Sequence, residues 1–91
     1  MMSESIIKTW IDDVEETDEY HIEGLKLEIT EQIFQAMEDK KVSQSELARR
    51  LGKNRAFISK ILQGKNNFTL KTLVLIARKL GMEWEMKLRD K

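Results

Sequence analysis

Ser43-Gln44-Ser45-Glu46-Leu47-Ala48-Arg49-Arg50-Leu51-Gly52-Lys53-Asn54-Arg55-Ala56-Phe57-Ile58-Ser59-Lys60-Ile61-Leu62-Gln63-Gly64-Lys65 is the stretch whose reading decides the fold of this chain. It opens on a capping box, a serine followed three residues later by glutamate just before an apolar pattern. The short helix over 44–51 turns Leu47, Ala48 and Leu51 inward and closes at Gly52, a natural residue for the left-handed position after a helix. Asn54 caps the next helix, over 54–62, which carries Phe57, Ile58, Ile61 and Leu62 and ends near Gly64. The first of these helices is too short to stand alone and must be held by packing. Small Ala48 at the crossing lets the two backbones approach closely.

Downstream, Lys65 to Phe68 reads as a polar loop, with Phe68 plugging it onto the body. Thr69 then caps a helix lined by Leu70, Leu73, Val74, Ile76, Ala77 and Leu80, and Gly81 stops it. The period changes after that. Met82, Trp84, Met86 and Leu88 alternate with Glu83, Glu85, Lys87 and Arg89, the pattern of a half-buried strand. A lone strand leaves an open edge and needs a partner, most simply its own copy in a second protomer. Upstream, Ile22, Leu25, Ile29, Ile33 and Met37 mark a helix from about residue 19 to 39, weakened at Gly24 and left through Lys40-Lys41-Val42. Before it, Ile6, Ile7, Trp10, Ile11 and Val14 form the stripe of an amphipathic helix with Ser3 as its cap, and the chain breaks near Thr17. The organisation is an acidic helix and linker over 1–18, a helical domain over 19–81 and a strand-like tail over 82–91.

The formal net charge is zero, but it is unevenly placed. Residues 40–79 hold eleven Lys or Arg against one acid, Glu46, whereas residues 1–28 hold nine acids against Lys8 and Lys26. Positive charge gathered around one short helical segment is the electrostatic footprint of a polyanion-binding face. The helix over 54–62, offered N-terminus first, has the shape a DNA major groove accepts. With no cysteine, the chain has no disulfide, thiolate metal site or cysteine nucleophile. No apolar run is long enough for a membrane span, and no signal-peptide pattern is present, so a cytoplasmic location is the default.

Residues 29–81 resemble the lambda/434 repressor and Cro class of helix-turn-helix domains, the XRE family, through the quoted stretch and through Thr69-Leu70-Lys71-Thr72-Leu73-Val74-Leu75-Ile76-Ala77-Arg78-Lys79-Leu80-Gly81. The fold implied is all-α: a compact helix-turn-helix domain of four to five helices, with an N-terminal amphipathic helix and a short C-terminal β-strand. In that family the glutamine opening the first motif helix holds a DNA phosphate and braces the recognition helix, which gives that role to Gln44. The resemblance places Arg55 and Ala56 at the base-reading positions, with Ser59 and Lys60 one turn on. It nominates the loop residues Lys65, Asn66 and Asn67 for the DNA backbone.

The chemistry of the residues agrees. Arg55 can fork onto guanine O6 and N7, and Ala56 can meet a thymine methyl. Asn54 is a cap that also offers its amide to phosphate, and Lys53 and Lys65 lie close to the reading element. The helix starts at Gln44 and Asn54 direct unpaired N–H groups toward the same anion. Arg49, Arg50, Lys71, Arg78 and Lys79 read as a solvated helix face. His21 stands without a ligand cluster and the methionines are core or interface filler, so no metal, cofactor or catalytic residue is expected.

The function implied is a sequence-specific DNA-binding transcriptional regulator, a repressor, acting as a homodimer on double-stranded DNA with a palindromic operator. Met82, Trp84, Met86 and Leu88 are the dimerisation candidates. The acidic N-terminal helix and the C-terminal strand also resemble the layout of HigA-type antitoxins, which implies an alternative role: holding a basic toxin protein outside the DNA face.

Overall fold

The computed structural model describes residues 17–64 and 67–90. Four helices follow one another: α1 over Asp18–Lys40, α2 over Gln44–Leu51, α3 over Arg55–Leu62 and α4 over Leu70–Lys79. The expected amphipathic helix at 3–15, with its cap Ser3, lies outside the described residues, as do Lys65 and Asn66.

Each helix starts on a side-chain cap. Thr17, Ser43, Asn54 and Thr69 accept from the backbone N–H three residues ahead, at 3.2, 3.1, 3.0 and 3.2 Å. Each such bond satisfies one of the orphan donors at a helix start, an effect of about 1 kcal/mol. Only half of the capping box forms at α2. Ser43 Oγ takes the Glu46 N–H, but the Glu46 carboxylate is bonded to Arg49 and Arg50.

Three helices end alike. After α1, Lys41 N–H reaches Glu38 O and Val42 N–H reaches Met37 O at 2.8 Å, with Lys41 itself left-handed at φ 57°. The buried pair Val42 and Met37 supplies the apolar contact that accompanies this motif. Gly52 and Gly81 repeat the pattern after α2 and α4.

The core is built where the helices meet. α2 packs on α3 and α4, and α1 packs on α3. Ile33, Leu47, Ile58, Ile61 and Ile76 are fully buried at its centre, with Met37, Val42, Ala48 and Leu80 around them. Burial of each large side chain is favourable by roughly 1.5–3 kcal/mol, so α2 and α3, each of eight residues, owe their stability to this contact. Phe68 is half-buried against the core, as expected of a loop plug, and Phe57 packs there too.

Two expectations are corrected. The strand over 82–89 is not seen; residues 82–90 have no regular secondary structure. Trp84 instead turns back onto its own chain, packs against the core and donates Nε1–H to Leu73 O at 2.6 Å. A single tryptophan meeting an apolar groove between α1 and α4 produces the inward half of the alternation without any strand partner. Leu70 and Val74 do not line the core: they are 68% and 51% exposed, because the buried stripe of α4 is Leu73, Ile76 and Ala77, continuing to Leu80. The helix expected over 19–39 forms, and within it Ile22 and Leu25 are exposed while Ile33 and Met37 are buried.

Candidate nucleic-acid interface

α3 presents its N-terminus to solvent because the turn before it is tight and held. Gly52, at φ 70°, takes the left-handed conformation that L side chains adopt only at a cost, and Lys53 N–H closes onto Ala48 O at 2.9 Å. Asn54 Oδ1 then accepts from Phe57 N–H and starts the helix. Lys53 Nζ lies 5.5 Å from the centre of the Phe57 ring, a cation–π contact of about 0.5–1 kcal/mol at an exposed site.

Arg55, Ala56 and Lys60 are all exposed. Residues 55, 56, 59 and 60 share one helix face, since positions four apart stack along the surface. No acidic side chain among the described residues pairs with Arg55 or Lys60. Ser59 differs from its neighbours: it is half-buried, and its hydroxyl donates to Gln44 Oε1 at 3.3 Å. Gln44 opens α2, so this bond links the start of one helix to the middle of the other. The contact anchors α3 and takes the Ser59 proton away from the solvent face.

The electrostatics are one-sided. Glu46 is the single acid between residues 40 and 79, and it is neutralised locally: hydrogen bonds from Arg49 and Arg50 hold its carboxyl below the usual carboxylate range. Arg50 also donates to Lys79 O at 2.9 Å, tying α2 to the end of α4. Sequence reasoning missed that role, treating Arg50 as part of a solvated face, because the contact spans 29 residues. Arg49, Lys71, Arg78 and Lys79 are exposed, as that reading expected.

Among the remaining sequence-nominated residues, Lys53, Asn54 and Asn67 are exposed, and Lys65 and Asn66 lie outside the described residues. In the tail, Met82, Met86 and Leu88 are exposed, at 41%, 80% and 101%, whereas Trp84 is committed to its own chain.

A family model described as helix-turn-helix matches residues 33–85, more than half of the 91 in the chain. The chain belongs to the helix-turn-helix family. The match runs from Ile33 in α1 through all of α2, α3 and α4 and takes in Trp84. Comparison with curated proteins and with solved structures returned no match. The domain is of the Cro-type, XRE class that the sequence resembles, a DNA-binding regulator domain and not an enzyme family. No helix among the described residues is long and apolar enough to cross a membrane.

Proposed function

We propose that this helix-turn-helix protein is a sequence-specific transcriptional repressor that binds a palindromic operator as a homodimer. One observation carries the reading: α3 is braced through Ser59 to Gln44 while Arg55, Ala56 and Lys60 stay exposed on one face with no acid among the described residues opposing them. In this reading α3 enters the major groove. Arg55 forks onto guanine, Ala56 meets a thymine methyl and Lys60 reaches the next base or its phosphate. Gln44, Lys53, Asn54, Lys65, Asn66 and Asn67 hold the backbone and supply the salt-dependent share of affinity. Ser59 acts as the brace more than as a reader.

Two protomers on one duplex place their reading helices about one helical turn apart. The exposed Met82, Met86 and Leu88 support a contact between copies through the tail. Occlusion of polymerase from the occupied operator then gives repression.

The test is selection of bound duplexes from a randomised library. An enriched inverted repeat, bound by two protomers, is the expected result; binding without enrichment, collapsing as salt rises, overturns the reading. The antitoxin role rests on the acidic segment over 1–18, of which residues 1–16 lie outside the described residues, and on a C-terminal strand that is not seen. It is the second reading, and it requires a stoichiometric complex with a small basic protein that deletion of residues 1–20 abolishes.

A further inference from the structure

Lys41 is the only residue other than glycine with a positive φ among the described residues, at 57°. It follows α1 in the position that glycine usually takes, because the Cβ of an L residue there crowds the next carbonyl oxygen. The chain holds it in place regardless. Lys41 N–H bonds to Glu38 O at 3.1 Å and Val42 N–H to Met37 O at 2.8 Å, and both Val42 and Met37 are buried. A backbone that costs free energy and is still fixed from both sides directs attention to the side chain it carries.

The described fold makes no use of that side chain. Lys41 is exposed, and no ion pair among the described residues engages its ammonium. Two acids lie close in sequence. Glu38 lines the same groove as Lys41 without pairing to it, and the Asp39 carboxylate accepts from Gln35 Nε2 at 3.0 Å. A cation at a helix end also favours the helix dipole, but Lys40, in the last turn of α1, already serves there.

Its location is the independent observation. A shallow groove between the end of α1 and the start of α2 is lined by Phe34, Glu38, Lys41, Ser43 and Gln44. Gln44 accepts in turn from Ser59, on the α3 face that carries Arg55, Ala56 and Lys60. Lys41 thus adjoins the reading surface through Gln44. We infer that Lys41 is a DNA phosphate-contacting residue, which extends the interface from Gln44 onto the end of α1. The pinned, left-handed backbone sets where its stem starts, and the ammonium meets phosphate as a point charge. The inference rests on the DNA-reading function proposed above.

The test compares the parent protein, Lys41→Gly and Lys41→Arg as full chains. Each is titrated against the selected duplex and a scrambled one at several salt concentrations, with Tm recorded in parallel. Lys41→Gly is expected to melt at or above the parent value, since the relieved strain offsets the extra chain freedom of glycine. It should bind both duplexes more weakly, with the preference between them retained. Its salt slope should be shallower by about 0.9 for each protomer, or about 1.8 for a bound dimer. The parent's advantage should therefore shrink roughly tenfold between about 50 and about 200 mM salt. Lys41→Arg should keep parental affinity and slope. Parental affinity and slope in Lys41→Gly, or weakening confined to the selected duplex, overturns the inference while the DNA-reading function stands. A lower Tm in Lys41→Gly, with binding lost in proportion, makes the lysine part of the fold and overturns it too. A parent protein that binds no duplex removes the DNA-reading function and this inference together. One that binds without preference removes the sequence reading alone, and the slope comparison still decides Lys41.

Discussion

Replacing Arg55 by alanine separates sequence reading from general attraction, and the structure makes the experiment clean. Arg55 is exposed at the first position of α3, and no acidic partner among the described residues is left unpaired when it is removed. The cap is untouched, because Asn54 Oδ1 holds Phe57 N–H and not a group of residue 55. Alanine is the best helix former and arginine ranks close behind it, so Tm should change little. What remains is the effect on binding. A bidentate arginine–guanine contact provides about 1–3 kcal/mol of discrimination, and a dimer makes it twice, giving roughly 2–6 kcal/mol. At about 1.4 kcal/mol per tenfold, affinity for the selected duplex should fall by roughly thirtyfold to twenty-thousandfold. A scrambled duplex loses only one cation per protomer, a far smaller effect. Fluorescence anisotropy on both duplexes at one fixed salt concentration reads the two changes directly. Equal weakening, leaving the ratio of the two affinities unchanged, would refute the assignment of Arg55 to a base. Lys65→Ala is the contrasting control, expected to weaken both duplexes alike.

Other expectations concern the scaffold. Gly64→Ala forces a side chain into left-handed backbone at φ 74°, a cost of about 1–2 kcal/mol that should lower Tm by roughly 4–16 °C; an unchanged Tm would show that the turn relaxes freely. Trp84→Phe removes the 2.6 Å donor to Leu73 O and should cost about 0.5–1.5 kcal/mol, read as a lower urea midpoint; an unchanged midpoint would mean that the tail does not brace α4. The Glu46 carboxyl titrates below its ordinary range because Arg49 and Arg50 bond to the charged form. Its contribution to stability is therefore present above the ordinary carboxylate pKa and lost as pH falls through the lowered value. Glu46→Gln should accordingly melt below the parent at neutral pH, with the gap closing in acid; a gap that widens in acid would contradict the sign.

Much of the fold was legible because it is written in local chemistry. Ser43, Asn54 and Thr69 announce helix starts by side-chain type, and each caps through the contact its type predicts. Gly52 and Gly81 mark ends for an equally local reason. Long-range contacts were not legible. The alternation from Met82 to Leu88 satisfied a strand template, yet one side chain, Trp84, meets the groove beside Ile33, Ala36 and Ile76 and uses up the inward half of the pattern. Leu70 and Val74 fit a helical stripe but stand at its edge, where no helix among the described residues covers them. At the site, residue types nominated Arg55, Ala56 and Lys60, all of them exposed, whereas the engagement of Ser59 by Gln44 and the reach of Arg50 to Lys79 O depend on how the helices cross.

If α3 reads guanine from the major groove, methylation interference on the selected duplex will register it. Methylation of guanine N7 at one position in each half-site should block binding by the parent protein, and that interference should disappear with Arg55→Ala. Binding indifferent to N7 methylation, but blocked by methylation of adenine N3, would place the protein in the minor groove and rule out major-groove reading by α3.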